Sequence, residues 1–161
     1  MTILSDGTIK ECLSSGTIDV YPRPAESQIQ PASLDVTLDN KLYDCAADTM
    51  LEQDQFTLEP YKRYLGQTKE RISLPNDIAA QLAGRSTVGR MGIIVHKTAG
   101  WIDPEFTGTI TLELMNLRDD PVMLSHGDRI AQLVFLWLDR QSSGYDGQYQ
   151  AQSDPTPANE L

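Results

Sequence analysis

The run Ile130-Ala131-Gln132-Leu133-Val134-Phe135-Leu136-Trp137-Leu138 constrains the fold most, because it is apolar at every position except Gln132. Side chains alternate across a strand, so an extended segment of this kind must be covered on both faces. It belongs at the centre of a sheet or between subunits, and its lone glutamine reads first as a satisfied core amide. Further strand candidates lie at 33–40, 55–59, 63–73, 78–83, 92–96, 109–117, 121–125 and 129–138, punctuated by Pro-Asn-Asp, Gly-Arg-Ser and His-Gly-Asp turn signals. In the first of these, Leu34, Val36 and Leu38 alternate toward one face. Leu4 to Gly16 reads as a short helix that Ser5 can cap and Gly16 can end, with Ile9, Cys12 and Leu13 on one face. Tyr21 to Pro31, with Pro22 and Pro24, reads as a loop or extended connection, and 44–54 as a surface excursion. Many short strands and a single helix predict a mainly β fold, a sandwich or a barrel.

A chain of 161 residues suits one domain, and no repeat or linker divides it. Cys12 and Cys45 are far apart and lack motif spacing, which favours free thiols in a reducing compartment. With no signal peptide and no apolar run of membrane length, a cytoplasmic protein without membrane contact is expected. The formal net charge of −10 argues against nucleic-acid binding, which needs a basic footprint. A small phosphorylated ligand remains compatible. Arg85, Arg90, Lys97 and Arg129 all fall in the central apolar half, as a local anion pocket or as dispersed surface ion pairs.

Gly84-Arg85-Ser86-Thr87-Val88-Gly89-Arg90 brackets guanidinium and hydroxyl groups with glycines, so the chain can turn closely around one anion. It matches neither the P-loop nor the G-x-S-x-G elbow, and a plain exposed turn is the other reading. Asp103, before Pro104, can orient a hydroxyl or a water, or can simply bond the backbone in a turn. Glu113 interrupts an apolar strand, where an unpaired carboxylate is costly to bury. Its face, with Thr109, Thr111 and Met115, is mixed, so the acid lines a pocket or a solvated edge. The H-x-E and P-C-x-x-C pattern of zinc-dependent nucleobase deaminases is absent. From Gln141 onward aliphatic residues give way to Ser, Gly, Gln, Tyr and Pro, a tail that cannot build a core and is disordered by default.

Four motifs occur in the order and spacing of the dCTP deaminase / dUTPase superfamily: Gly84 to Arg90, Thr98 to Gly108, Ile110 to Leu114 and Gly127 to Leu133. The amino-terminal Ile3-Leu4-Ser5-Asp6 and Ser33-Leu34-Asp35-Val36 resemble the deaminase branch. Glu113 stands where deaminases carry their catalytic glutamate, while Gly100-Trp101 resembles dUTPases and bifunctional enzymes rather than the His-Arg of deaminases that only deaminate. The combination is most similar to bifunctional, dUMP-forming dCTP deaminase–dUTPases. The resemblance implies a dUTPase-like distorted β-barrel with one short amino-terminal helix. It also implies conversion of dCTP to dUMP, diphosphate and ammonia, inhibition by dTTP, and a homotrimer with shared sites.

The resemblance further implies roles. Glu113 is the acid/base for attack of water on cytosine C4, Ser86 and Arg90 hold that water and the developing charge, and Thr98 and Ala99 present backbone groups to the base. Asp103 bonds the sugar and positions the water that attacks phosphorus, over Trp101 and Ile102. Arg85 and Gln132 contact phosphates, with Mg²⁺ bound mainly through the phosphates. Residues 1–140 are the catalytic domain, and 141–161 a flexible segment that closes over the nucleotide with Gln148, Tyr149 and Gln152. Gln148 stands where the family has a lysine, and the glycine-rich fifth dUTPase motif is missing. A monofunctional enzyme or a nucleotide-binding regulatory protein therefore stays open beside the bifunctional reading.

Overall fold

Ser5 starts the first helix by accepting from the Thr8 amide, and Gly16, at φ +76°, ends it in the left-handed region that costs a glycine nothing. In the computed structural model, which describes residues 2–158, this helix α1 (Asp6–Ser15) follows β1 (Thr2–Ile3) and buries Ile9 and Cys12. Next come β2 (Asp19–Tyr21), β3 (Ile29–Gln30), β4 (Ser33–Asp44), β5 (Thr49–Glu52), β6 (Gln55–Leu58), β7 (Arg63–Ser73) and β8 (Ile78–Gly84). The chain continues through α2 (Ser86–Arg90), β9 (Ile93–Ile94), β10 (Trp101–Ile102), β11 (Thr107–Asn116), β12 (Val122–Ser125) and β13 (Arg129–Trp137). Among the described residues no helix is long and apolar enough to cross a membrane.

The main sheet runs β10-β8-β13-β4-β7-β11-β9, so β13 lies between β8 and β4 as its two-faced apolar run requires. Ile130, Ala131, Leu133 and Phe135 are fully buried. Strand β4 joins the two halves of the sheet. Its first part, Leu34 to Thr37, pairs with β13, and its last part, Leu42 to Asp44, pairs with β7 and β5. A register shift between Leu38 and Leu42 separates the two parts, and the antiparallel sheet curls around a core that includes Leu38, Phe56, Leu82 and Phe135.

Several elements differ from the sequence pattern. A second, five-residue helix, α2, begins inside the Gly-Arg-Ser segment expected as a turn, so the single expected helix has a companion. The strand expected over 92–96 shortens to Ile93–Ile94. The segment 44–54 is a hairpin, its tip at Ala46 to Asp48 exposed and β5 paired back to β4. Asp35, on the face opposite Leu34 and Val36, is nevertheless 2% exposed, because both faces of β4 are covered there. The polar tail finds its order in a backbone edge: Ala151 N donates to Thr107 O (2.7 Å), and Thr109 N donates to Gln152 O (3.1 Å). Residues 159–161 lie outside the described residues.

Candidate active site

The loop from His96 to Gly108 is built around two backbone constraints. The Leu82 amide donates to Gly100 O at 2.6 Å, which pins β8 to the loop ahead of β10. A Cβ on Gly100 would stand 2.8 Å from Leu82 O and 3.1 Å from the His96 ring, so only glycine lets the loop approach this closely. Beyond it β10 pairs Trp101 with Gln81 and Ile102 with Ala80. Strand alternation then leaves Trp101 50% exposed and buries Ile102. Asp103 follows on the open side, and its Oδ1 accepts from Trp101 Nε1 at 3.0 Å. The carboxylate is thus held by an indole, and the turn is closed by the main chain, with Phe106 N donating to Asp103 O.

From this turn the chain enters β11, whose mixed face forms the floor of a cavity of about 560 Å³. Cross-strand register sets Tyr43, Leu65 and Glu113 in one row over β4, β7 and β11, so all three point to the same side. Glu113 Oε2 accepts from the Lys97 amide at 2.6 Å, which holds the half-buried acid against the loop. Tyr43, Cys45, Arg63 and Lys97 line the cavity with Glu113, while Trp101, Ile102, Asp103 and Phe106 line it from the hairpin. Burial pushes the Cys45 thiol above its ordinary range, opposed by the positive charges of Arg63 and Lys97. The tail closes the outside. Tyr145 packs edge-on against Phe106, Gln152 Nε2 donates to Thr109 O, and the Thr156 amide reaches Thr111 Oγ1.

A second cavity of about 340 Å³ opens where β8 runs into α2, lined by Ser33, Asp35, Arg85, Ser86, Thr87 and Gln132 among others. Buried Asp35 Oδ2 lies 3.0 Å from Arg85 Nε and 3.4 Å from Arg129 Nη1, and Arg85 Nη1 also donates to Arg129 O. Asp35 thus holds Arg85, the one cation among the described residues in the lining of this cavity, with its guanidinium in a fixed direction that suits an anion. Gln132 is satisfied as a core amide would be: its oxygen accepts from Ser33 Oγ and its nitrogen donates to Gly84 O. It also lines the cavity.

The model of the dCTP deaminase-like family matches residues 3–137. The chain belongs to that family. A Kocuria rhizophila protein named dCTP deaminase, dUMP-forming is 36% identical over 178 aligned residues, covering 96% of this chain and 92% of the relative. One of the same name from Halobacterium salinarum is 40% identical, over 84% of this chain and 80% of its own. In three dimensions the 2′-deoxycytidine 5′-triphosphate deaminase of Agrobacterium tumefaciens superposes with a TM-score of 0.72 at 24% identity, over 83% of this chain and 47% of that longer chain. The EIAV dUTPase superposes at 0.58 and 17% identity, over 83% of this chain and 98% of its own. These likenesses carry the fold, the dUTPase-like curled β architecture expected from the motifs.

Within this dCTP deaminase-like chain the expected site residues fall into two groups. Glu113, Asp103, Ala99, Trp101, Ile102, Tyr149 and Gln152 line the larger cavity, whereas Arg85, Ser86 and Gln132 line the smaller one. Arg90, at the exposed end of α2, lines neither, nor do exposed Thr98 and Gln148. The groups sit at opposite ends of β4. Asp35 marks one end and Tyr43 the other, eight residues along, roughly 26 Å at strand rise. Among the described residues no three metal-capable side chains converge. Arg85, which lines the smaller cavity, has the charge that suits phosphates carrying a divalent ion.

Sequence reasoning missed Asp35 as an arginine clamp and Tyr43, Cys45 and Arg63 as cavity wall. Lys97, read from the sequence with Arg85, Arg90 and Arg129 as one anion pocket or as dispersed surface charge, lines the larger cavity, whereas Arg85 lines the smaller one. Tyr43 and Arg63 reach the site only through sheet register, which no local pattern reports.

Proposed function

We propose that the chain converts dCTP to dUMP, diphosphate and ammonia in the cytoplasm, by deaminating the base and hydrolysing the triphosphate. We further infer that its active sites form between copies of the chain in a homotrimer. The observation that carries this is the split of the site: the acids and the base-side wall lie on one cavity, the arginine, serine and glutamine on another, about a strand length away in the same chain. A neighbouring copy that brings its smaller cavity to the larger one completes a single site.

In that site Glu113 takes a proton from the water whose oxygen attacks C4. The proton passes to ring N3; the second proton of that water, taken by Glu113 from the C4 hydroxyl of the adduct, is delivered to the amino group, so that ammonia leaves as the C4 carbonyl forms. The Lys97 amide fixes Glu113 Oε2, leaving Oε1 for the water. Asp103 Oδ1 is held by Trp101, which leaves Oδ2 for the sugar hydroxyl and for the water directed at the α-phosphorus. Arg85, oriented by Asp35, binds the phosphates of the nucleotide seated in the copy opposite, and Ser86 from the same smaller cavity holds the water that attacks C4. Mg²⁺, held mainly by those phosphates beside Arg85, would supply charge neutralisation as diphosphate leaves. The tail lies over the same cavity and acts as its closing segment, and dTTP competes for the same space.

Subunit mixing tests this reading. Glu113→Gln alone loses ammonia release by about 10²-fold or more while it retains some dUTP hydrolysis, and Arg85→Ala alone loses both activities through phosphate binding. Mixed, unfolded and refolded together, the two variants regain roughly a quarter of the deaminase activity if each site draws one residue from each of two copies. No recovery above the separate variants would reject a shared site, and normal ammonia release by Glu113→Gln would reject its role.

A further inference from the structure

Gln67 is 1% exposed and lines neither cavity, yet its amide reaches the closing segment. Register breaks on both sides of it. Strand β7 pairs Gln67 with Thr111 but Arg71 with Thr109, and it pairs Gly66 with Leu42 but Thr68 with Leu38. The regular ladders are interrupted around this residue, and its side chain meets groups that they leave over. Nε2 donates to Asp39 Oδ2 on β4 at 2.6 Å and to Ser153 O in the tail at 3.1 Å. Oε1 accepts from Thr109 Oγ1 on β11 at 3.1 Å. Three of the amide's four hydrogen-bonding positions are thus used, and Nε2 divides its bonds between the sheet and the tail.

The contact matters because of what flanks Ser153. Gln152, one residue earlier, lines the larger cavity, and its Oε1 accepts from Thr111 Oγ1 at 3.4 Å. Thr156, three residues later, lines it too and donates its amide to the same hydroxyl at 3.5 Å. Asp154 pairs with Lys41, but both are partly exposed, and solvent screens such a pair. Gln67 is not screened. A tail that left its place would strip a buried N–H of its acceptor, a penalty that the seated tail avoids. A bond made outside the cavity therefore steadies two residues that face into it. We propose that Gln67 is a positioning residue of this site, the buried peg that seats the closing segment against a bound nucleotide. The proposal rests on the function proposed above for the identity of that nucleotide.

The test is Gln67→Glu in the full chain, at a pH above the carboxylate range so that the new group is ionised. It keeps the size and an oxygen for Thr109 Oγ1, but it turns the donor into an acceptor facing the Asp39 carboxylate and the Ser153 carbonyl. Hydrogen exchange of the Thr109 amide, which donates to Gln152 O, is expected to quicken by about fivefold or more, while the amides of β13 keep their protection. The KM for dCTP in ammonia release rises by about the same factor, with kcat changed less than about twofold. Asp39→Asn combined with Gln67→Glu separates the tail contact from the sheet contact. Asparagine can donate to the new carboxylate, which repairs the sheet, but no donor returns to Ser153 O. The double variant is therefore expected to keep the fast Thr109 exchange and the raised KM, and it carries the test alone should like charges prevent the single variant from folding. Restoration of both by Asp39→Asn overturns the proposal, as does Thr109 exchange that neither variant moves. If the wild-type chain neither binds dCTP nor releases ammonia, the function proposed above is overturned instead, and exchange at Thr109 still decides whether Gln67 seats the tail.

Discussion

At the scale of single residues, the site depends on groups whose neighbours leave them little choice. Gly100 is the clearest. A methyl there meets the Leu82 carbonyl oxygen at 2.8 Å, and neither the strand nor the loop can yield without disturbing Trp101 and Asp103. Gly100→Ala is expected to cost about 1–3 kcal/mol of stability by overpacking, read as a fall in the chemical-denaturation midpoint, with a loss of dUTP hydrolysis. Glu113 was legible in the sequence because a carboxylate inside Ile110-Thr111-Leu112-Glu113-Leu114 breaks an apolar pattern. Asp35 was not legible in the same way. It occupies an ordinary alternating position, and its burial follows from Arg85 and Arg129, which arrive from distant parts of the chain.

At the scale of elements, the tail and β11 are the informative pair. A composition of Ser, Gly, Gln, Tyr and Pro predicts no core, and none forms; order comes instead from pairing along β11 in the same chain direction. The amide of Gln150 bonds Thr107 N and Glu105 O, that of Gln152 bonds Thr109 O, and Gln67 Nε2 donates to Ser153 O. Between those two tail glutamines Ala151 adopts φ +62°, a conformation that costs a residue with a Cβ about 1 kcal/mol. Ala151→Gly relieves it. The expected outcome is tighter seating of the tail, with exchange of the Thr109 amide slowed by about fivefold or less. Unchanged or faster exchange would show that the tail's hold does not depend on this backbone strain. Glutamines with two-ended amides were present in the sequence, but their partners are backbone groups of a strand edge, and an edge exists only after the sheet has formed.

At the scale of the whole molecule, the sheet path was partly readable. The apolar run of β13 identifies a central strand, and the structure places it between β8 and β4. The continuation of β4 to Asp44, which lets one strand serve both halves of the sheet and both cavities, was hidden by the polar run Asp39-Asn40-Lys41 and by Asp44, which flank Leu42 and Tyr43. Their faces are covered by β5, β7 and the tail, all remote in sequence or polar themselves. The tail has one more consequence, for solubility. Strand β11 meets β7 along one side; on its other side β9 covers only Met115 and Asn116, and the tail covers Thr107 to Thr109. Without the tail, a run of backbone donors and acceptors with β-branched residues would be uncovered, the surface another chain can extend. Removal of residues 145–161 is therefore expected to leave a folded body that self-associates, seen as concentration-dependent light scattering that a synthetic peptide of residues 145–158 suppresses. The segment that closes the cavity would also keep the molecule from becoming its neighbour's next strand.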